Sequence, residues 1–310
     1  MSEIVIGVDG GGSKTRVIVG TGEGDILSTV DGAKSAVVPG RANESANVIA
    51  DLVIKAVAEI AQPGAVFPRV LYCGVAGTGR EEERLALHSA LDAKELAEEV
   101  VIDSDGLIAM YDAFEDRAGI LLVVGTGSIA YGRSPAGEIV RCGGWGPTFG
   151  DEGSGGWIGK RALSVVAASS DGREPPTALL FPILGATQCE DVQDLIPWAA
   201  AADARIFASL VPVVFSTAAA GDPRANALIT LAAEELVLHI RALARQLFTD
   251  ERAAIPVAFS GGLMERGSPL RKRLEQRLKS AVPGAQIRSE EVLPARGALR
   301  AAARRIHLPT

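Results

Sequence analysis

Residues 4–30 read IVIGVDGGGSKTRVIVGTGEGDILSTV, and this stretch decides the fold. Three runs of β-branched and other apolar residues are separated by two turns rich in glycine, the residue that accepts positive φ angles. The pattern predicts strands at Ile4–Asp9, Thr15–Thr21 and Asp25–Val30. We therefore expect the chain to begin with a meander of two hairpins.

Helices and strands alternate after this meander. Asn43 is a good N-cap for a helix with one buried face. Further patterns predict a strand at 70–75, a helix at 81–91, a strand at 100–102 and a helix from about 106. The order βββαβαβα predicts an α/β domain with a mostly parallel sheet, covered on both faces, and a hairpin edge.

The second half of the chain begins in the same way. Residues 119–141 repeat the order strand, glycine turn, strand, turn, strand, residues 155–248 are mainly helical, and residues 255–259 return as a strand. Such self-similarity suggests two related domains that face each other across a cleft and each contribute a phosphate-gripping hairpin. A length of 310 residues also favours two domains.

Composition and charge exclude several classes of function. The net charge is −7 and no window clusters Lys or Arg, so nucleic acid is not an expected partner. The first residues lack a secretory signal, and no apolar run approaches the roughly 20 residues that span a bilayer, so no membrane association is expected. Three cysteines and three histidines are too scattered for a disulfide framework or a zinc site, which favours the reducing cytoplasm.

The first glycine turn, residues 10–15, comes close to a Walker A loop but misses its spacing. Ser13 separates Gly12 from Lys14, and the next residues are β-branched rather than helical, which disfavours P-loop and dinucleotide-binding folds. The turn can still bring backbone N–H groups and the Ser13 and Thr15 hydroxyls toward phosphate oxygens. The alternative is a plain hairpin with a flexible tip. Asp9 either holds Mg²⁺, directly or through water, or only initiates the turn.

Several stretches, in matching order, resemble the N-acetylglucosamine kinase branch of the BadF/BadG/BcrA/BcrD-type ATPases, within the sugar kinase, actin and heat-shock ATPase superfamily. The stretches are residues 7–15, Ala76-Gly77, Asp105 before Ala109-Met110, residues 125–128, residues 142–155, Ala218 before residues 221–223, and residues 260–262. The resemblance implies two actin-like (ribonuclease H-like) domains of βββαβαβα type with an interdomain cleft. It places the N-terminal domain at 1–116, with a C-terminal helix at about 294–310 packing back on it, and the C-terminal domain, with a helical insertion, at 117–293.

The same resemblance implies ATP-dependent phosphorylation of an amino sugar, expected to convert N-acetylglucosamine to its 6-phosphate. ATP, with Mg²⁺ near Asp9, would be held by Asp9, Gly11, Gly12, Ser13, Lys14, Thr15, Thr126, Gly127, Ala218, Gly261 and Gly262. The sugar would be held by Gly77, Asp105, Gly144, Trp145, Gly146 and Asp151. The resemblance also suggests a homodimer.

Three of these residues have competing interpretations. Asp105 is the expected base that accepts the proton of the sugar hydroxyl, and Asp103 competes with it from two positions earlier. Trp145 is either an apolar wall for the sugar ring or a plug at a domain interface. Asp151 either binds sugar hydroxyls or caps the helix that follows it.

The sequence departs from the family at one expected sugar contact. Ala36 stands where the family usually carries Asn, and Lys34, Ser35 or Asn43 are alternative sources of a polar group. Glucosamine and N-acetylmuramic acid therefore remain alternative acceptors. An ATP-driven switch acting on a protein partner and a catalytically silent sugar sensor are alternative functions. The cysteines do not match the iron–sulfur pattern of related ATPases or the zinc signature of the repressor/kinase group.

Overall fold

The computed structural model describes residues 3–60, 67–249 and 254–306. Its backbone contacts divide the chain into two compact units. Unit 1 combines residues 1–116 with residues 290–310, and unit 2 contains residues 117–289. The last four residues of the predicted C-terminal helix, 307–310, lie outside the described residues.

Unit 1 begins with the predicted meander and continues with alternating helices and strands. In chain order the elements are β1 (Ile4–Gly10), β2 (Thr15–Thr21), β3 (Ile26–Gly32), α1 (Ala42–Glu59), β4 (Val70–Val75), α2 (Glu81–Asp92), β5 (Glu99–Asp103) and α3 (Asp105–Phe114). They form one five-stranded sheet of order β3-β2-β1-β4-β5. The β1–β2 and β2–β3 pairs are antiparallel, whereas β1–β4 and β4–β5 are parallel.

Unit 2 repeats this topology with a helical insertion. Its elements are β6 (Gly119–Val124), β7 (Ser128–Arg133), β8 (Ile139–Gly143), α4 (Gly155–Ser170), α5 (Leu180–Thr187), α6 (Leu195–Ala201), α7 (Ala204–Ala208), α8 (Val211–Ala219), α9 (Pro223–Leu247), β9 (Ile255–Ser260), α10 (Pro269–Ala281) and β10 (Ala285–Ile287). The sheet order β10-β9-β6-β7-β8 is that of unit 1 read from the other edge. The predicted α/β class with two related sheets is therefore confirmed, although in each sheet two of the four pairings are antiparallel, so that neither sheet is mostly parallel.

The last helix, α11 (Pro294–Ile306), returns to unit 1. Leu299 and neighbouring alanines form a small core with Val5, Ile18 and Val70 on one face of the sheet. A larger core that includes residues of α1 and α2 covers the other face of the same sheet, and unit 2 has a core of its own. Among the described residues, no helix is long and apolar enough to cross a membrane.

Candidate active site

The first glycine turn joins β1 to β2 in unit 1. Gly10 pairs with Thr15, and the N–H of Gly11 donates to the carbonyl of Lys14 over 2.9 Å, which closes a tight turn. Ser13 and Lys14 are exposed at its tip. The turn therefore presents two polar side chains and nearby backbone N–H groups to solvent, as an anion-binding hairpin requires.

Thr15 supports this turn from below. Its side chain is fully buried, and its hydroxyl donates to the carbonyl of Ala33 over 2.6 Å and lies 2.7 Å from the Ser35 hydroxyl. The N–H groups of Ser35 and Ala36 both donate to the carbonyl of Gly11 over 3.2 Å. The glycine turn and the loop that carries Ala36 are thus joined into one structure.

Gly77 packs against the same loop. The N–H of Val37 donates to the carbonyl of Ala76 over 2.8 Å, and the N–H of Ala76 donates to that of Gly10 over 2.8 Å. Gly77 has a φ of +92°, and a Cβ there would lie 2.3 Å from the Val37 carbonyl oxygen. Only glycine fits this position, so the Ala76-Gly77 segment, the loop and the hairpin pack together as one structure in unit 1.

The two competing aspartates differ in their environments. Asp103 ends β5, and its carboxylate accepts a hydrogen bond from the Tyr72 hydroxyl over 2.7 Å. Asp105 is the first residue of α3, whose N-cap is Ser104. The Asp105 carboxylate accepts from the N–H of Gly106 over 3.0 Å and interacts with its own backbone N–H, and in the described part of the chain no side chain donates to it. Asp103 is therefore hydrogen-bonded to a side chain, whereas the contacts to Asp105 come from backbone N–H groups.

Both Asp105 and Asp9 are electrostatically perturbed. Burial raises the pKa of the Asp105 carboxyl, opposed by the hydrogen bond from Gly106. Burial, and then the charge of Asp105, raise the pKa of Asp9 to about 6, while Lys14 and Arg16 oppose the rise. Unit 1 therefore holds two interacting carboxylates beside the glycine turn, and perturbed carboxyl groups of this kind are typical of functional sites.

The second glycine turn, residues 125–127, joins β6 to β7 in unit 2. The N–H of Gly125 donates to the carbonyl of Gly127 over 2.9 Å. The first N–H groups of α4, those of Gly155 and Gly156, donate to the carbonyls of Gly125 and Thr126 over 2.9 and 3.0 Å. The start of a helix therefore fixes the backbone of this turn.

Asp151 lies against the second turn. A Cβ on Gly127 would lie 2.6 Å from Oδ2 of Asp151, and Oδ1 accepts from the N–H of Gly146 over 3.3 Å. Burial raises the pKa of Asp151, and backbone N–H groups oppose the rise. The N-cap of α4 is Ser154, whose hydroxyl accepts from the N–H of Trp157, so the alternative of Asp151 as helix cap is excluded.

The loop after β8 carries Gly144, Trp145 and Gly146. Both glycines have positive φ angles, of +68° and +88°. Trp145 is 60% exposed, and the guanidinium of Arg141 lies 4.6 Å from its ring centroid. This loop thus presents an aromatic face beside a carboxylate, since the N–H of Gly146 reaches Asp151.

Gly261 and Gly262 follow β9, which pairs in parallel with β6. Gly261 has a φ of +92°, and a Cβ there would lie 2.4 Å from the carbonyl oxygen of Val124. The glycines are therefore adjacent to the second glycine turn. Ala218 lies elsewhere in unit 2, near the end of α8, where its carbonyl accepts from the N–H of Gly221 and from Asn226.

The predicted site residues thus form two sets. Asp9, the first turn, Gly77 and Asp105 adjoin one another in unit 1. Thr126, Gly127, Asp151, residues 144–146 and residues 261–262 adjoin one another in unit 2. Ala218 is buried in the core of unit 2 and is hydrogen-bonded to Gly221 and Asn226. Within the described residues no three His, Cys, Asp or Glu side chains cluster as metal ligands.

Sequence reasoning missed the residues that support the site. The Tyr72 hydroxyl donates to Asp103, the hydroxyls of Thr15 and Ser35 are hydrogen-bonded to each other, and Ser154 is the N-cap of α4. The spacing of Ser154 before the small-residue helix start is an N-cap signal that could have been read from the sequence. The other two contacts join residues 31 and 20 positions apart, so no local pattern reveals them.

Comparison with known proteins identifies relatives along almost the whole chain. Residues 6–302 match the model of the BadF/BadG/BcrA/BcrD ATPase family. An N-acetyl-D-glucosamine kinase of Dictyostelium discoideum is 30% identical over 309 residues, which cover 96% of each chain. An N-acetylmuramic acid/N-acetylglucosamine kinase of Clostridium acetobutylicum is 30% identical over 262 residues, 84% of this chain and 85% of that one.

A solved structure supports the same relationship. It is that of a candidate N-acetylglucosamine kinase from Chromobacterium violaceum, with a TM-score of 0.79 and 30% identity, covering 96% of this chain and 98% of that one. The family match and the identity over most of both chains agree with the shared fold. The chain therefore belongs to the BadF/BadG/BcrA/BcrD ATPase family.

Proposed function

We propose that this protein transfers the γ-phosphate of ATP to a hydroxyl of an amino sugar, with N-acetylglucosamine as acceptor and its 6-phosphate as product. The names of the two curated relatives support an amino sugar as acceptor. The observation that carries the proposal is the Asp105 carboxylate, which is partly buried beside the first glycine turn and has no side-chain partner among the described residues.

Asp105 acts as the general base in this proposal. Burial raises the pKa of the Asp105 carboxyl, and a carboxylate with a raised pKa is a stronger base than that of an exposed aspartate. Its place at the start of α3, directly after β5, is the strand-end position at which α/β proteins bind ligands. It accepts the proton of the attacking hydroxyl, and the phosphoryl group moves to the sugar oxygen.

Each glycine turn is suited to bind phosphate groups of ATP. In unit 1 the backbone N–H groups and the exposed Ser13 and Lys14 would contact phosphate, and in unit 2 Thr126 and Gly127 would do so. Thr15 holds the first turn in shape instead of touching phosphate, because its hydroxyl is already engaged. Ala218, Gly261 and Gly262 would adjoin the adenosine.

Asp9 is suited to hold Mg²⁺, directly or through water. Mg²⁺ usually takes one or two carboxylates together with phosphate oxygens and water, so one aspartate beside a phosphate-binding turn is a sufficient protein contribution. A divalent cation would also offset the repulsion between Asp9 and Asp105 that raises the pKa of Asp9. When bound, Mg²⁺ would neutralise charge on the phosphates.

Unit 2 supplies the proposed acceptor contacts. Asp151 accepts hydrogen bonds from sugar hydroxyls, and Trp145 offers its exposed ring to the apolar face of a pyranose. Gly144 and Gly146 let the loop approach the sugar closely.

Release of ADP in the presence of a panel of amino sugars tests this proposal. We expect N-acetylglucosamine to raise ADP release above the basal rate, and Asp105→Asn to lower kcat by ~10² to 10⁴. The matched control is Asp103→Asn, which should retain most activity because the Tyr72 hydroxyl already donates to the Asp103 carboxylate. The proposal fails if no amino sugar stimulates the parent enzyme, and the base assignment fails if the two variants are equally active.

A further inference from the structure

A cavity of about 360 Å³ lies in unit 1 between the loop after β3, the start of α1 and the first turns of α2. Asn43, named above as an alternative polar contact for the acceptor, lines it, whereas the residues proposed to bind the nucleotide do not. Its apolar walls include Val37, Pro39, Ala42 and Ala86, and its polar lining includes Asn43 and Glu83. The cavity is large enough for a substituent of a small ligand.

Glu83 is the unusual member of this lining. Its side chain is only 7% exposed, and its single ion-pair partner in the described part of the chain is Arg80, 3.4 Å from Oε1 and itself 78% exposed. Oε2 is buried and has no hydrogen-bond partner among the described residues. A buried carboxylate oxygen without a donor is costly, so this site lacks one N–H or O–H group.

Asn43 offers the complementary chemistry. It is the second residue of α1, and its amide forms no hydrogen bond with the described residues. The amide can therefore donate to a ligand carbonyl. Together the lining combines an acceptor at Glu83, a donor at Asn43 and apolar side chains.

The cavity adjoins the proposed acceptor residues. Val37 connects the cavity to Gly77, because Val37 lines the cavity and its carbonyl packs against Gly77. The preceding residue, Ala36, is held by the Ser45 hydroxyl, which donates to its carbonyl over 3.3 Å.

We propose that this cavity receives the N-acyl substituent of the acceptor sugar, an inference that rests on the proposed function. The amide N–H donates to Glu83 Oε2, the acyl carbonyl accepts from the Asn43 amide, and the methyl group packs against Val37 and Pro39. The cationic amino group of glucosamine would pair with Glu83 but would leave Asn43 and the apolar walls without a partner. The carboxylate of a lactyl group would be repelled by Glu83.

The test compares affinities for N-acetylglucosamine and glucosamine in Glu83→Gln and Asn43→Ala. Calorimetry without ATP measures the dissociation constant of each sugar. The KM for N-acetylglucosamine measures its apparent affinity during turnover. Loss of the charge on Glu83 predicts about tenfold weaker binding of N-acetylglucosamine in Glu83→Gln, and glucosamine should be weakened as well because its amino group is cationic. Asn43→Ala should weaken N-acetylglucosamine alone, because only the acyl carbonyl accepts from Asn43. The control is Glu81→Gln, which removes an exposed charge from the same turn of α2 and should change neither affinity.

The outcomes separate this inference from the proposed function. The inference is overturned if Glu83→Gln weakens neither sugar, or if Asn43→Ala weakens N-acetylglucosamine no more than glucosamine, since the cavity would then hold water or serve only to stabilise α2. It is also overturned if the parent protein binds glucosamine more tightly than N-acetylglucosamine. Selective loss of N-acetylglucosamine binding would support the cavity assignment even if no phosphorylated product forms, a result that would refute only the proposed function.

Discussion

Asp9 and Asp105 place two partly desolvated carboxyl groups beside one glycine turn. Burial and the charge of Asp105 raise the pKa of Asp9 to about 6, so its ionised form is disfavoured in the folded protein without ligand. Carboxyl groups whose pKa is raised by burial commonly lower the free energy of unfolding, and they are common at functional sites. The cost should therefore appear as a pH-dependent free energy of unfolding.

The variant Asp9→Asn tests this cost. The pKa of Asp9 is higher in the folded protein than in the unfolded chain. Between about pH 4 and pH 6 the folded state therefore binds a proton at Asp9 more strongly, and the stability of the parent falls as pH rises through that window. We expect Asp9→Asn to be more stable than the parent above pH 7, by up to about 3 kcal/mol, and nearly equal to it below pH 4. Urea unfolding of both proteins across pH 4–8 measures the difference.

The control for this prediction is Asp31→Asn. A side-chain hydrogen bond from Arg16, which acts against a smaller effect of burial, lowers the pKa of Asp31. The sign is therefore reversed, and Asp31→Asn should be slightly less stable than the parent at neutral pH, with the difference vanishing in acid. A stability gain for Asp9→Asn that does not depend on pH would contradict the electrostatic explanation.

Single residues show where sequence reasoning ends. The order of strands and turns predicts that Asp9 and Asp105 lie near strand ends, and both do. Nothing local reveals that Tyr72 occupies Asp103 or that the Thr15 hydroxyl is bound to Ala33, because these contacts join distant segments. The hairpins with their glycine turns were thus predictable from local pattern, whereas the sequence did not reveal which polar groups are already hydrogen-bonded.

At the scale of elements, α11 braces the helix that carries Asp105. Asp112 in α3 has a side chain only 1% exposed, and Arg296 in α11 donates to both of its oxygens, over 2.6 and 2.8 Å. The N–H of Leu293 donates to the same carboxylate over 2.8 Å. The C-terminal segment therefore satisfies a buried charge in α3.

Replacing Arg296 by Ala should destabilise unit 1 strongly. The change leaves Asp112 buried with too few donors, for which we expect a loss of about 3–5 kcal/mol in the free energy of unfolding. Denaturant unfolding measures the loss. The control is Arg173→Ala, which removes an exposed pair with Asp171 and should have little effect. Equal losses in the two variants would refute the role of Arg296 as a brace.

Some helices and strands were predicted from the sequence and others were not. The β1–β3 meander and its repeat in unit 2 follow from β-branched runs and glycine turns, and β2 has the predicted bounds. The three-residue β10 and the helix α10 were not predicted, since three residues give no periodic signal and α10 is rich in charge. The parallel content was overestimated because each hairpin contributes antiparallel pairings.

At the scale of the whole molecule, each unit has its own sheet and its own core. All residues of the largest hydrophobic cluster lie within residues 117–289, and the other two clusters lie in unit 1. We therefore predict that residues 117–289 fold when expressed alone. Circular dichroism with a cooperative thermal transition would support this expectation, and a fragment without a transition would contradict it.

The central claim concerns what the complete protein makes. The most direct measurement is nuclear magnetic resonance of the products formed from ATP, Mg²⁺ and N-acetylglucosamine. The account predicts one equivalent of sugar phosphate for each ADP, with phosphorus coupled to the protons on C6, and none with Asp105→Asn on the same time scale. ADP accompanied by inorganic phosphate, without any phosphorylated sugar, would contradict it.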